Sequence, residues 1–167
     1  RNLLIFLLAL PAILGLGLAV SSCGIYSFSG TSIQPDVKTV TINYFEYKAL
    51  NVNPMLASQL TEAMKEKFRR LTKLEEVEQD GDLDFYGEVT GYAVSAVGVT
   101  ADETVAQNRL TVTVKIQFTD RLHSEEDFEK TFSAYADFDS SQLLDTVQDA
   151  LCEEIVEKLV EDIFNAS

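Results

Sequence analysis

A two-layer α+β sandwich is the fold class that three observations predict. Apolar and polar residues alternate in 37–45, 83–89, 110–118 and 128–138, the period of strands with one wet side. Apolar residues recur at helical spacing in 56–71 and again from the Ser140-Ser141 region to about residue 164. Each element has a single apolar face, and a sheet with both helices on one side buries all of them at once. The expected sheet is mixed and mostly antiparallel, with four or five strands and two helices packed on one face.

The chain opens on an uncharged run, residues 3–20, long enough to be weighed as a membrane span. Pro11 breaks its helical hydrogen-bond ladder, and Gly15 and Gly17 loosen it further. No Lys or Arg follows until Lys38, so the cationic flank that a permanent span prefers is missing. The run ends in Val20-Ser21-Ser22-Cys23, a small-residue approach to a cysteine. Signal-cleaving peptidases need small side chains there because the extended backbone must lie close to their catalytic groups. The pattern resembles a bacterial lipobox, which implies acylation of Cys23 with palmitate-type chains and cleavage after Ser22. The expected organisation is a signal peptide over 1–22, a lipidated tether over 23–36 and one domain over 37–167. Acyl chains contribute about 0.8 kcal/mol per buried CH₂, so two or three of them hold a domain on a membrane without a span.

Removing the first 22 residues leaves 145, enough for one domain with a real core. It also leaves 12 basic against 27 acidic side chains, a balance that repels nucleic acid and anionic membrane surfaces. With Cys23 acylated, Cys152 has no disulfide partner, and His123 is the only histidine, so neither a disulfide framework nor a metal site is expected.

In chain order, 24–36 is a Ser- and Gly-rich tether with Tyr26 and Phe28 interleaved. In the strand predicted over 37–45, Val40, Ile42 and Tyr44 share one face, and Thr39, Thr41 and Asn43 the other. Asn53-Pro54 supplies an N-cap and a first-turn proline for a helix whose stripe is Leu56, Leu60, Ala63, Met64, Phe68 and Leu71. That helix ends in Lys65, Lys67, Arg69, Arg70 and Lys73, the one candidate anion-facing patch in an acidic chain. A short extended run over 74–78 leads into the turn Gln79-Asp80-Gly81-Asp82. In the next strand Leu83, Phe85, Gly87 and Val89 share a face, and Gly87 and Gly91 predict a bulge or a close backbone approach. Residues 92–106 alternate less cleanly and read as a strand end plus a connection.

Leu110, Val112, Val114, Ile116 and Phe118 alternate without error, and a polar hairpin over 120–127 carries His123. In the return strand, Ala134 and Ala136 at inward positions predict a helix lying close over the sheet. Asp139-Ser140-Ser141 caps the last helix, with Leu144, Val147, Leu151, Ile155, Leu159 and Ile163 as its stripe. Its other side is dense in Asp and Glu, which suits packing on protein rather than on a membrane.

No nucleophile elbow, phosphate-binding loop or metal motif occurs, and neighbouring acidic pairs do not converge on one point, so an enzyme is not expected. The layout resembles the LptE family of lipopolysaccharide-assembly lipoproteins. The residues that carry the resemblance are Cys23-Gly24, Asp82-Leu83-Asp84-Phe85-Tyr86-Gly87-Glu88-Val89, Asn108-Arg109-Leu110-Thr111-Val112-Thr113-Val114, Phe128-Glu129-Lys130-Thr131-Phe132 and the long last helix. The resemblance implies a non-enzymatic outer-membrane lipoprotein that plugs and helps assemble an LptD-type β-barrel. It also implies assistance to lipopolysaccharide transport through direct contact with the lipid, and no cofactor beyond the lipid on Cys23. The family's basic contacts near the connection of the central strands are not carried over, because residues 97–104 are acidic here. The Lys65–Lys73 cluster is the candidate replacement. Gly24 after the cysteine, where an inner-membrane retention signal would place Asp, favours the periplasmic side of the outer membrane. The alternative expectation is a lipid-anchored pilot or scaffold lipoprotein of another envelope machine.

Overall fold

The computed structural model describes residues 33–51, 53–97 and 106–167. Its elements are β1 (Thr39–Ile42), β2 (Glu46–Tyr47), α1 (Leu56–Leu71), β3 (Glu75–Glu76), β4 (Leu83–Val97), β5 (Gln107–Asp120), β6 (Phe128–Asp139) and α2 (Leu144–Ala166), with a 3-10 turn at Ser124–Glu126. The class is the α+β sandwich expected. The sheet has six strands rather than four or five, because two two-residue strands, β2 and β3, extend it. The order is β3-β1-β4-β5-β6, with β2 beside β4. The β1, β2 and β3 pairings are parallel and the long β4-β5-β6 meander is antiparallel.

The first strand is shorter than its pattern and changes phase. Tyr44 is 62% exposed, whereas Phe45 is fully buried. Asn43 causes the switch: its backbone N–H and its Nδ2 both donate to the Phe85 carbonyl, at 3.0 and 2.9 Å. The Phe45 N–H then leaves the sheet and donates to Thr61 Oγ1 on α1 at 3.0 Å. Thr41, expected on the wet side, is buried because the Gly81 turn folds over it and Gly81 N–H donates to its hydroxyl at 2.9 Å. That turn bends at Asp80, whose φ of 56° is the left-handed conformation a short polar side chain tolerates.

Helix α1 begins at Leu56, later than Asn53-Pro54 implied. Asn53 Oδ1 accepts from Met55 N–H at 3.1 Å in a turn before the helix, and its Nδ2 reaches Cys152 Sγ at 3.3 Å. Leu56, Leu60, Met64 and Phe68 form the buried stripe. Leu71 does not join it, being half exposed at the last turn.

β4 runs unbroken to Val97. Its alternation blurs because the register with β5 shifts between Val89 and Gly91. Phe85, Gly87 and Val89 point inward before that bulge, and Tyr92 after it. Across the hairpin to β6, Asp120 is buried and its Oδ1 accepts the N–H groups of Leu122 and His123, both at 2.9 Å. Asp139 Oδ1 accepts from Ser141 N–H and hydroxyl at 2.8 and 2.6 Å, in a turn that leads into α2. The buried stripe of α2 is wider than the sequence suggested. Cys152, Val156, Val160 and Phe164 join Leu151, Ile155, Leu159 and Ile163, while Leu144 and Val147 are only partly covered. Ala134 and Ala136 are buried on β6, and α2 packs against that strand.

One apolar cluster unites the inner face of the sheet with both helices. An aromatic chain crosses it, with ring centroids 5.0 Å apart for Phe164–Phe68 and Phe68–Phe85, 4.8 Å for Phe85–Phe118 and 5.0 Å for Phe118–Phe128. The domain therefore has one sealed face and one open face of sheet.

Candidate functional site

The open face is built by parity. Side chains opposite the core in β4, β5 and β6 fall into rows, and the antiparallel register sets them side by side. Thr113 and Ser133 hydroxyls meet at 3.2 Å in the middle of the face. Lys115 pairs with Glu129 at 2.8 Å, and Lys48 bridges Glu46 at 3.0 Å and also Glu88. Arg121 reaches Asp84 at 3.0 Å and Asp80 at 3.1 Å. At the far end Arg109 holds Asp137 through two parallel bonds of 2.7 and 2.8 Å and lies 3.6 Å from the Tyr135 ring centroid. The Arg109 bonds hold the Asp137 carboxyl below its usual range. The Tyr86 hydroxyl, with help from Lys48, lowers Glu46, and the same bond raises the Tyr86 phenol. The result is a broad polar surface whose charges are already neutralised laterally, with short hydroxyls at its centre. Lateral pairing lowers the cost of covering these charges with another polar surface, and the central hydroxyls can hydrogen-bond to it.

The sequence did not single out Arg109, Tyr135 or Arg121. Their partners lie on other strands, and only the register brings Arg109 opposite Asp137.

The basic end of α1 is dispersed by the fold. Lys65 pairs with Glu76 on β3 at 2.9 Å, Arg69 with Glu66 at 2.8 Å, and Lys67 with Glu161 on α2 while also approaching the Phe164 ring. Among the described residues, Arg70 and Lys73 form no ion pair. Arg70 lines an open groove of about 860 Å³ between the outer sides of the two helices, floored by Ala63, Val156 and Val160, where Glu66, Asp149, Glu153 and Glu157 face Lys67 and Arg70. Lys73 instead lines a hollow of about 390 Å³ at the domain's entry, together with Lys38, Ile33, Leu71 and Phe164. Lys38 joins the patch only in three dimensions. Val20, Ser21, Ser22 and Cys23, and the acidic connection over 98–105, lie outside the described residues.

A partly buried polar knot ties β4 to α2 and to the segment that leads into α1. Tyr92 hydroxyl donates to Gln148 Oε1 at 3.0 Å, Asn51 Nδ2 to the Tyr92 carbonyl at 3.0 Å, and Asn53 N–H to the Tyr47 hydroxyl at 3.1 Å. Burial pushes the Tyr92 phenol up to about 12 and raises the Cys152 thiol above its ordinary 9.0. The folded state keeps both protons to higher pH than the unfolded chain does. Their stabilisation is complete below the unfolded values and is lost as pH rises. From neutral pH, denaturant midpoints should stay level up to about pH 9 and fall between about pH 9 and 12, with a smaller fall in Tyr92→Phe. A level profile to pH 12 would contradict the burial of this pair.

A solved structure of a protein from Xanthomonas campestris matches with a TM-score of 0.53 at 9% identity, covering 79% of this chain and 87% of that one. Others are a hypothetical protein from Chlamydia trachomatis (TM-score 0.47, 10% identity, 76% and 93% covered) and a minor lipoprotein from Acinetobacter baumannii (0.44, 13%, 77% and 90%). The first shares the fold. Among curated proteins none matches. The model of one family, described as LptE, lipopolysaccharide-assembly, matches residues 37–167. The chain belongs to the LptE lipopolysaccharide-assembly family.

Proposed function

We propose that the protein is a non-enzymatic subunit of the outer membrane, anchored on the periplasmic side by acyl chains on Cys23. Its domain seats in the lumen of an LptD-type β-barrel, aids that barrel's assembly and assists lipopolysaccharide on its way to the cell surface. Family membership supports this reading. The observation that carries it is the two-faced sheet. One side is closed by helices, and the other presents a self-neutralised field of Thr, Ser and paired charges, suited to the polar side chains that line a barrel interior. Arg70 and Lys73, rather than the ion-paired Lys65, Lys67 and Arg69, are the side chains offered to lipid phosphates.

The test is purification in detergent through a C-terminal tag. A large β-barrel should co-purify with lipopolysaccharide, and the retained protein should lack residues 1–22 and carry acyl chains. Thr113→Arg, at the centre of the open face, should lose the barrel. Arg70→Glu with Lys73→Glu should lower bound lipopolysaccharide several-fold and keep the barrel. Recovery of a non-barrel partner, or of an unmodified Cys23, would refute the corresponding part.

A further inference from the structure

β6 is the last strand on its side of the sheet, 12 residues long, and it pairs with β5 without a register shift. Parity fixes which of its backbone groups are spent. The Phe85 and Val89 carbonyls of β4 accept from Asn43 and Lys48, so odd-numbered residues there face away from β5. Tyr86 and Glu88 therefore bond to Gln117 and Lys115, which leaves the even-numbered residues of β5 to bond β6. Their partners Phe132, Ala134 and Ala136 are spent, and the N–H and C=O groups of Thr131, Ser133, Tyr135 and Asp137 point outward. Among the described residues one group meets that edge: Lys158 Nζ, which donates to the Tyr135 carbonyl at 3.2 Å and is held by Glu154 at 2.7 Å.

A long edge strand is a template for pairing, and proteins blunt it with proline, bulges or lysine. β6 has neither proline nor bulge, and Lys158 covers one carbonyl. Beside the edge runs an open groove of about 690 Å³, walled by Ser133 and Tyr135 on one side and by Glu154, Glu157, Lys158 and Glu161 of α2 on the other. Carboxylates outnumber cations in that wall.

We infer that the free edge of β6 is a strand-addition site for an extended, basic segment of a partner protein. The incoming backbone pairs with the outward groups of Ser133 and Tyr135, and its cations meet the α2 carboxylates. Lys158 swings off the Tyr135 carbonyl as the segment enters. A second copy of this chain does not fit. Antiparallel β6 pairs centred on Ser133 would set Glu129 against Asp137, between molecules that each carry a formal charge of −14. The inference does not depend on the barrel reading.

The probe is a synthetic seven-residue peptide of alternating Lys and Val, measured on the full chain in detergent. A control peptide has the same sequence with alternate backbone nitrogens methylated, which keeps charge and removes strand pairing. The plain peptide should bind at least about tenfold tighter than the control. It should slow amide exchange at Thr131, Ser133 and Tyr135, and Lys158→Ala should tighten it. Ser133→Pro removes an N–H that the sheet does not use, so it should abolish that protection and keep the fold. If that variant misfolds, the methylated control on the native chain still decides. Equal binding of the two peptides, protection elsewhere, or no binding overturns the proposal.

Discussion

Phe85→Ala is expected to remove about 4 kcal/mol of stability, the upper range for truncating a buried aromatic side chain. Phe85 has no exposed surface and sits in the middle of the aromatic chain, between Phe68 on α1 and Phe118 on β5. Its loss opens a cavity where sheet and helix meet, and the backbone cannot collapse to fill it. The Phe85 carbonyl is held in place by both nitrogens of Asn43, which the substitution leaves untouched. Aromatic ring pairs add about 0.5–1.5 kcal/mol beyond area burial, and two tilted pairs go at once. Domains are stable by about 5–15 kcal/mol, so this one change consumes a large share. Urea denaturation should show a lower midpoint with an unchanged slope. Phe128→Ala, at the half-buried end of the chain, should cost clearly less. A loss below 1 kcal/mol for Phe85→Ala would mean that the rings do not form a continuous core.

The elements legible in the sequence are those whose environment is set by their own period. The stripe from Leu110 to Phe118 is buried at every second position because β5 is central, covered by helices on one side and flanked by long strands. Ala134 and Ala136 foretold a helix close overhead because only small side chains leave room for one. Where one long-range contact overrides the period, the pattern misleads. Tyr44 continues the alternation of β1 and is exposed, since Asn43 spends its hydrogen bonds on Phe85 and hands the inward position to Phe45. Leu71 fits the helical stripe of α1 but lies beyond the last turn that the sheet covers.

The candidate site was less legible for a related reason. Five basic residues close together in sequence read as one anion patch. Glu76 on β3 and Glu161 on α2 neutralise Lys65 and Lys67, and Glu66 one turn back on α1 pairs with Arg69, which leaves Arg70 and Lys73 without an ion pair among the described residues. The open face has the opposite history. The alternation over 110–118 marked one side of the strand as wet, but the Arg109–Asp137–Tyr135 cluster exists only through the β5-β6 register.

Gly87→Val is expected to be the most damaging single addition of atoms, costing about 3 kcal/mol or more as an overpacked core position. A Cβ built on Gly87 would lie 2.4, 2.5 and 2.7 Å from three carbons of the Phe45 ring, where carbon atoms prefer about 3.5–4.0 Å. The ring cannot retreat easily. The Phe45 N–H is tied to Thr61 on α1, and the chain is stitched to β4 before and after it, by Asn43 to the Phe85 carbonyl and by Lys48 to the Val89 carbonyl. Phe45 thus fills the space a side chain at position 87 would otherwise take, and the phase switch that exposes Tyr44 is what delivers it there. A double-mutant cycle isolates that relation. Phe45→Ala alone should cost about 3–5 kcal/mol by leaving a cavity, whereas the Gly87→Val valine should partly occupy it in the double variant. The combined loss should then fall short of the sum by about 1–3 kcal/mol, the coupling expected of two groups competing for one volume. Strict additivity in urea denaturation would show that Phe45 and Gly87 do not share that space.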